Sequence, residues 1–396
     1  MPVKNLGSRL SLASLPGFLA AVRRTFLLFL LPVLAACQTS STEVLEDAAS
    51  GPVRADEKVG EGGVVLALLL PRSAGGETGR RARDIRDGAA LALSDLGDGK
   101  VSMIVLDTGG RPGDVAGLVA KAGEAGARLV LGPVTNPAAT AFVAVDAGQR
   151  PPAIMFVGNG GMHAAGAFAL ATDAVDSALE GVRVAAGAGH KNFAVILPQG
   201  FSDADAQRLA RGIAEAKVQL VGSVSYSRSG VTSQVAASRE MLVKADGIVI
   251  FGDGDAPAAV AAALRAASAL QPGAVLVGNS SWARSNDARP ELDGTLLAMP
   301  DQNGLAVIAD RYKSATSRTL SIDAAYGYDA IAVAAGLVRT VGEGALTTTS
   351  LTRPSGFRAT TGIFRFNADG SVTRSLALYQ IKGGALTLID PPSAGF

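Results

Sequence analysis

The chain has 396 residues, 48% of them apolar and 18% charged, and its formal net charge is +1. That length can build two domains with cores of their own, while the near-neutral balance excludes the broad attraction that nucleic acid or an anionic surface demands. A single cysteine and only His163 and His190 exclude a disulfide framework and a thiolate zinc site.

The first segment is an address. Lys4, Arg9, Arg23 and Arg24 precede an apolar run of 11 residues, 26–36. A helix needs about 20 residues to span a bilayer, so residues 1–36 read as a signal peptide. The run closes on Leu34-Ala35-Ala36-Cys37, which resembles the lipobox of bacterial lipoproteins and implies a lipid on the Cys37 sulfur. The other reading is an A-x-A-like cleavage that leaves Cys37 an incidental thiol. Several acyl chains on one cysteine would hold the protein at its membrane. Gln38, where lipoproteins kept at the inner membrane carry Asp, implies the periplasmic face of the outer membrane. Arg23-Arg24-Thr25-Phe26-Leu27 also resembles a twin-arginine signal, set against the ordinary secretory route that the apolar run suggests. Residues 37–62 are polar, small and aperiodic, as expected of a flexible tether.

Structure begins at Val64-Val65-Leu66-Ala67-Leu68-Leu69-Leu70, a continuous apolar run suited to a strand buried on both faces of a parallel sheet. A Gly-rich turn and a helix over 83–96 follow. The alternation continues with strand 101–106, helix 114–126, strand 128–131, helix 137–146 and strand 153–157. A second cycle comprises strand 193–197, helix 203–217, strand 218–224, helix 233–245, strand 247–251, helix 257–270 and strand 274–277. Short strands alternating with helices predict an α/β protein with two doubly wound parallel-sheet lobes and right-handed crossovers. Near the end, segments 362–366 and 375–381, with Asn367-Ala368-Asp369-Gly370 between them, read as antiparallel strands joined by a tight turn.

Leu68-Leu69-Leu70-Pro71, Asp87-Gly88-Ala89-Ala90-Leu91-Ala92, Asp107-Thr108-Gly109, Gly132-Pro133-Val134-Thr135, Ala325-Tyr326-Gly327-Tyr328-Asp329-Ala330 and the 362–370 segment together resemble the type I periplasmic binding proteins of the leucine/isoleucine/valine-binding family, over about residues 63–390. The resemblance implies the type I periplasmic-binding-protein fold, two lobes exchanging chain through three crossovers around a ligand cleft. Lobe 1 is then expected over 63–172 plus 281–372, and lobe 2 over 173–280 plus 373–396. Leu-Leu-Leu-Pro, the Asp-Thr-Gly-Gly stretch and the export signal look most similar to the lipoprotein penicillin-binding-protein activators, which implies a role in regulating peptidoglycan synthesis.

In a doubly wound sheet, ligands lie beyond the carboxyl ends of the strands, near helix N-termini. Thr135 and Asn136, ahead of Pro137, read either as a helix cap or as donors to a carboxylate. Asn159 and Gly160 sit in the Gly-rich turn 158–161, where the amino-acid binders carry hydroxyls. From the second lobe the resemblance brings Phe201, in place of an aromatic hydroxyl, and Asp253 or Asp255 for a ligand cation; each Asp is equally readable as a cap. G-x-S-x-G, the Walker loop and H-E-x-x-H are absent. His163 lacks a visible nucleophile or orienting carboxylate, and Asp107 reads as a metal ligand or a solvated strand-end carboxylate. The expectation is a non-enzyme without cofactor or metal. Its implied partner is a peptidoglycan synthase or, in the alternative, an ABC permease for branched-chain amino acids or similar small polar ligands. No nucleic-acid partner is expected.

Overall fold

The apolar run at the start of the core does what its composition demands. In the computed structural model, which describes residues 54–284 and 289–395, it is a strand whose side chains are almost all buried. The export signal, Cys37 and the tether up to residue 53 lie outside the described residues. The first half of the chain runs β1 (Glu57–Val59), β2 (Val64–Leu70), α1 (Gly76–Leu96), β3 (Val101–Asp107), α2 (Val115–Glu124), β4 (Ala127–Leu131), α3 (Asn136–Ala144), β5 (Ala153–Met155) and β6 (Ala167–Ala169). These strands form one sheet in the order β1-β3-β2-β4-β5-β6. All its pairs are parallel except β1 on β3. β1 lies in the segment expected to be tether. Its three residues add an edge strand, Lys58 facing Ile104, because β3 otherwise leaves its outer backbone groups unpaired.

The chain then crosses over and builds α4 (Ala174–Gly187), β7 (Asn192–Pro198), α5 (Asp203–Glu215), β8 (Gln219–Tyr226), α6 (Val231–Ala237), α7 (Arg239–Leu242), β9 (Gly247–Ile250), α8 (Ala256–Ala266), β10 (Val275–Val277) and β11 (Leu296–Met299). It returns with α9 (Gln302–Thr316), α10 (Ile322–Val341), α11 (Thr348–Leu351), β12 (Phe357–Ala359), β13 (Gly362–Phe366) and β14 (Val372–Arg374), and finishes in the second lobe with β15 (Ala377–Lys382) and β16 (Ala385–Asp390). The second sheet has the order β16-β15-β11-β10-β9-β7-β8, and β12-β13-β14 form a small third sheet.

Two expectations are corrected here. The return to the first lobe follows Met299, not residue 280, because β11 pairs with β10 through Val277 and Leu296 and Trp282 and Leu292 are buried in the second lobe's core. The tight turn after Phe366 joins β13 to β14, with Phe364 opposite Arg374. Segment 375–381 instead leaves for the second sheet, where Leu297 faces Tyr379 and Ala377, Leu378, Tyr379 and Ile381 are buried.

Helix ends follow local chemistry. Thr135, Asp173, Ser202, Asp301 and Ser321 each accept a first-turn N–H of the helix that follows. α1 buries Ala82, Ile85, Ala89, Ala92 and Leu93, a stripe at helical spacing, against α10. Two glycines permit that contact. A Cβ on Gly88 would lie 1.8 Å from the Ala324 carbonyl oxygen, and one on Gly327 would lie 2.2 Å from that of Ile85.

Candidate ligand cleft between the lobes

Beyond the carboxyl ends of the parallel strands the two lobes enclose a cavity of about 770 Å³, within the size of small-molecule sites. Lobe 1 supplies Asn136 at the start of α3, Phe156 to Gly158 after β5, Arg80 and Arg81 from α1, and Thr319 to Asp323 with Tyr326 from the start of α10. Lobe 2 supplies Ser280 and Ser281 after β10, and the crossings add Thr172, Asp173 and Pro300. Most of these follow a strand or open a helix, where spare backbone donors lie, while Arg80, Arg81 and Tyr326 reach in from the second turns of α1 and α10.

The lining is divided. Val134, Phe156, Val157, Leu305, Leu320 and Ile322 supply its apolar part. Among the polar lining residues the Arg81 Nε donates to the Asp323 carboxylate at 3.1 Å, and Asp323 is only 2% exposed. The Tyr326 hydroxyl accepts the Thr172 backbone N–H at 2.9 Å, which leaves its own proton to donate. The Thr172 hydroxyl is buried without a partner among the described residues. Such a site can grip a ligand that has an apolar body and an anionic end. Its carboxylates are occupied. Asp323 serves Arg81, and Asp173 accepts two bonds from the Arg208 guanidinium at 2.6 and 2.8 Å.

Asp173 also fastens the mouth of the cleft. Its carboxylate caps α4 by accepting from Val175 and Asp176 N–H, both at 2.9 Å, and accepts the Gly160 N–H at 2.8 Å. Asn159 donates to Asp176 at 2.6 Å and exchanges bonds with the Val372 backbone at 2.9 and 2.8 Å. Burial and the neighbouring Asp173 charge push Asp176 up to about 6. Behind it, Arg374 donates through Nε to the Leu170 carbonyl at 2.9 Å and through Nη1 to the Thr361 hydroxyl at 3.0 Å. Its guanidinium lies 4.6 Å from the Phe364 ring centre and 5.2 Å from that of Tyr326. Two of the three crossings are thereby tied to each other.

Of the residues picked from sequence, Asn136 lines the cavity. Thr135 caps α3, accepting from Ala138 N–H at 3.4 Å, while Asn159 and Gly160 bind the first lobe's turn to α4 rather than lining the cavity. Phe201 packs edge-on against Phe251, ring centres 4.9 Å apart. Asp253 and Asp255 pair with Arg228 and Arg289 and are 85% and 75% exposed; neither lines the cavity. His163 Nδ1 sits 3.2 Å from the Asp369 carbonyl oxygen, away from the cavity. Asp107 is not a solvated carboxylate. It is 3% exposed, and although burial works to raise its pKa, the N–H groups of Arg54, Gly109 and Ser73 hold it below the ordinary value. Arg81, Thr172 and Tyr326 were missed. Tyr326 stood inside a motif read for its resemblance, and Arg81 fell before the helix start expected at residue 83, whereas α1 begins at Gly76.

Among curated proteins no relative of the chain is found. Solved structures share its fold. One is a putative branched-chain amino acid ABC transporter protein from Rhodospirillum rubrum, with TM-score 0.68 and 18% identity over 82% of this chain and 99% of that one. Another is an ABC transporter solute binding protein from R. palustris in complex with benzoate, with TM-score 0.58 and 18% identity over 85% and 98%. A third is a branched-chain amino acid transporter substrate binding protein from Streptococcus pneumoniae in complex with isoleucine, with TM-score 0.55 and 17% identity over 83% and 99%. At such identities the likeness is one of fold. The family profile described as periplasmic binding protein matches residues 63–385, a span that holds every residue of the interlobe cavity, and the chain belongs to that family.

Proposed function

We propose that the protein is a non-catalytic solute-binding component of an ABC importer, working in the periplasm and taking a small organic carboxylate with an apolar body. The observation that carries this reading is the interlobe cavity, lined by Arg81, Thr172 and Tyr326 together with Phe156, Leu305 and Ile322. Because Asp173 and Asp323 are already engaged by arginines, an ammonium group finds no free carboxylate there. A simple acid such as benzoate therefore fits better than leucine or isoleucine. Calorimetry against benzoate, 3,4-dihydroxybenzoate, leucine and isoleucine tests this. The expected result is tighter binding of the simple acids, weakened roughly ten- to a hundred-fold by Arg81→Ala as a charge-assisted hydrogen bond is lost. Tighter binding of the amino acids would overturn the ligand class, and absence of any binding would overturn the importer role.

A second reading is a lipoprotein, anchored through Cys37 at the periplasmic face of the outer membrane, that regulates a peptidoglycan synthase. It is supported by Leu34-Ala35-Ala36-Cys37 and by Phe201, Asp253 and Asp255 lying off the cavity, since a regulator needs no ligand contacts from them. Crosslinking in the cell envelope separates the two, recovering a permease in one case and a synthase in the other.

A further inference from the structure

A second cavity, of about 500 Å³, opens beside the first at the start of α1. Five arginines line it, Arg54 from the chain before β1, Arg72 from the β2–α1 turn, and Arg80, Arg83 and Arg86 from α1; Glu57 and Asp87 are its only carboxylates. Both carboxylates are engaged. Glu57 is held by Arg72 at 2.9 Å and by Arg86, and Asp87 by Arg86 at 2.9 Å and by Arg318. The guanidinium groups of Arg54 and Arg83 are exposed and have no acceptor among the described residues.

Arg72, Arg80 and Arg86 are ion-paired, so the uncompensated charge is that of Arg54 and Arg83, and it is local, for the whole chain carries a net +1. Arg80, Arg83 and Arg86 recur every third residue of α1; Arg80 is balanced by Glu77 at 3.2 Å and Asp84 at 3.3 Å and Arg86 by Asp87 at 2.9 Å, which leaves Arg83 without a partner among the described residues. Gly76 and Gly79 also line the cavity. Arginines drawn from three stretches of chain to one cavity match a tetrahedral group with three or four oxygens better than a flat carboxylate with two.

We propose that this arginine-lined cavity is a binding site for a phosphate-bearing ligand, distinct from the interlobe cleft. The phosphate comes either from a soluble phosphate ester or from a lipid headgroup, Arg54 being a short stretch of chain from the expected lipid attachment at Cys37. The test uses the full mature chain with Cys37→Ser, so that no acyl chain carries it to a membrane. Inorganic pyrophosphate is titrated by calorimetry at low salt, and sedimentation is followed with phosphatidylglycerol vesicles against phosphatidylcholine vesicles. Arg54→Ala with Arg83→Ala removes two unpaired arginines and should leave the fold intact by circular dichroism. Arg211→Ala, an exposed arginine on α5, is the control. Binding that weakens about tenfold or more in the double variant, and is unchanged in the control, supports the site. Pyrophosphate binding assigns a soluble ester, and binding only to phosphatidylglycerol vesicles assigns a headgroup. Absence of binding in both arms, or equal binding by the double variant, overturns it.

Discussion

Gly88→Ala should destabilise the protein although it replaces a poor helix former with the best one. In the middle of α1 the exchange improves helix propensity by about 1 kcal/mol. Against that, the new methyl would sit 1.8 Å from the Ala324 carbonyl oxygen and 2.7 Å from its carbon, where ordinary contacts lie near 3.5 Å or beyond. The two helices would have to part by more than about 1 Å, and α1 cannot retreat because Ala82, Ile85 and Ala89 on its buried face are fully packed. Overpacking of this kind costs about 1–3 kcal/mol or more, and with rigid backbone as the obstacle the upper figure applies, for a net loss of about 2 kcal/mol. The displacement falls on the Arg81–Asp323 bond, which spans the same pair of helices, so cleft binding should weaken too. Gly336→Ala supplies the contrast, since a Cβ on that α10 glycine meets nothing within 4 Å, and it should gain up to about 1 kcal/mol. Urea unfolding followed by circular dichroism reads both. A Gly88→Ala protein as stable as the parent, or equal losses at both positions, would refute the steric argument.

Asp176, held near 6 instead of the ordinary 3.8, favours the protonated form in the folded state. Its contribution is fully present below about pH 4 and is lost as pH rises through about 6. Urea midpoints across that window should therefore fall for the parent relative to Asp176→Asn, and parallel curves would contradict the raised value. Arg374→Ala leaves the Leu170 carbonyl oxygen without its donor and should cost about 2–3 kcal/mol by the same assay; a change under about 0.5 kcal/mol would show that the crossings do not depend on it. Asp253→Ala and Asp255→Ala remove exposed carboxylates and should shift stability by no more than about 0.5 kcal/mol each, with cleft binding unchanged. A large loss of ligand affinity in either would mean that the second lobe's Asp-rich turn enters the site after all.

The elements that sequence alone determined are those whose signal is local. Val64-Val65-Leu66-Ala67-Leu68-Leu69-Leu70 suits a strand buried on both faces, and the alternation of such runs with helical stripes points to a parallel α/β sheet as the way to bury them. The order of the quoted motifs reached the family for the same reason, since Gly88 and Gly327 are demanded by helix contact and Asp329 by the backbone N–H groups of Thr360 and Thr361 that it accepts. What the tertiary structure decided is where chain segments meet. Three residues of the expected tether became an edge strand because β3 had an open side, and segment 375–381 joined the second sheet because β11 offered a free edge there. Of the cleft lining, Asn136 and the turn that begins at Gly158 were legible in the sequence. Helix-capping residues and ligand donors are the same residue types, and whether Asp173 binds a ligand, a helix or Arg208 depends on a partner 35 residues away, which no spacing along the chain encodes.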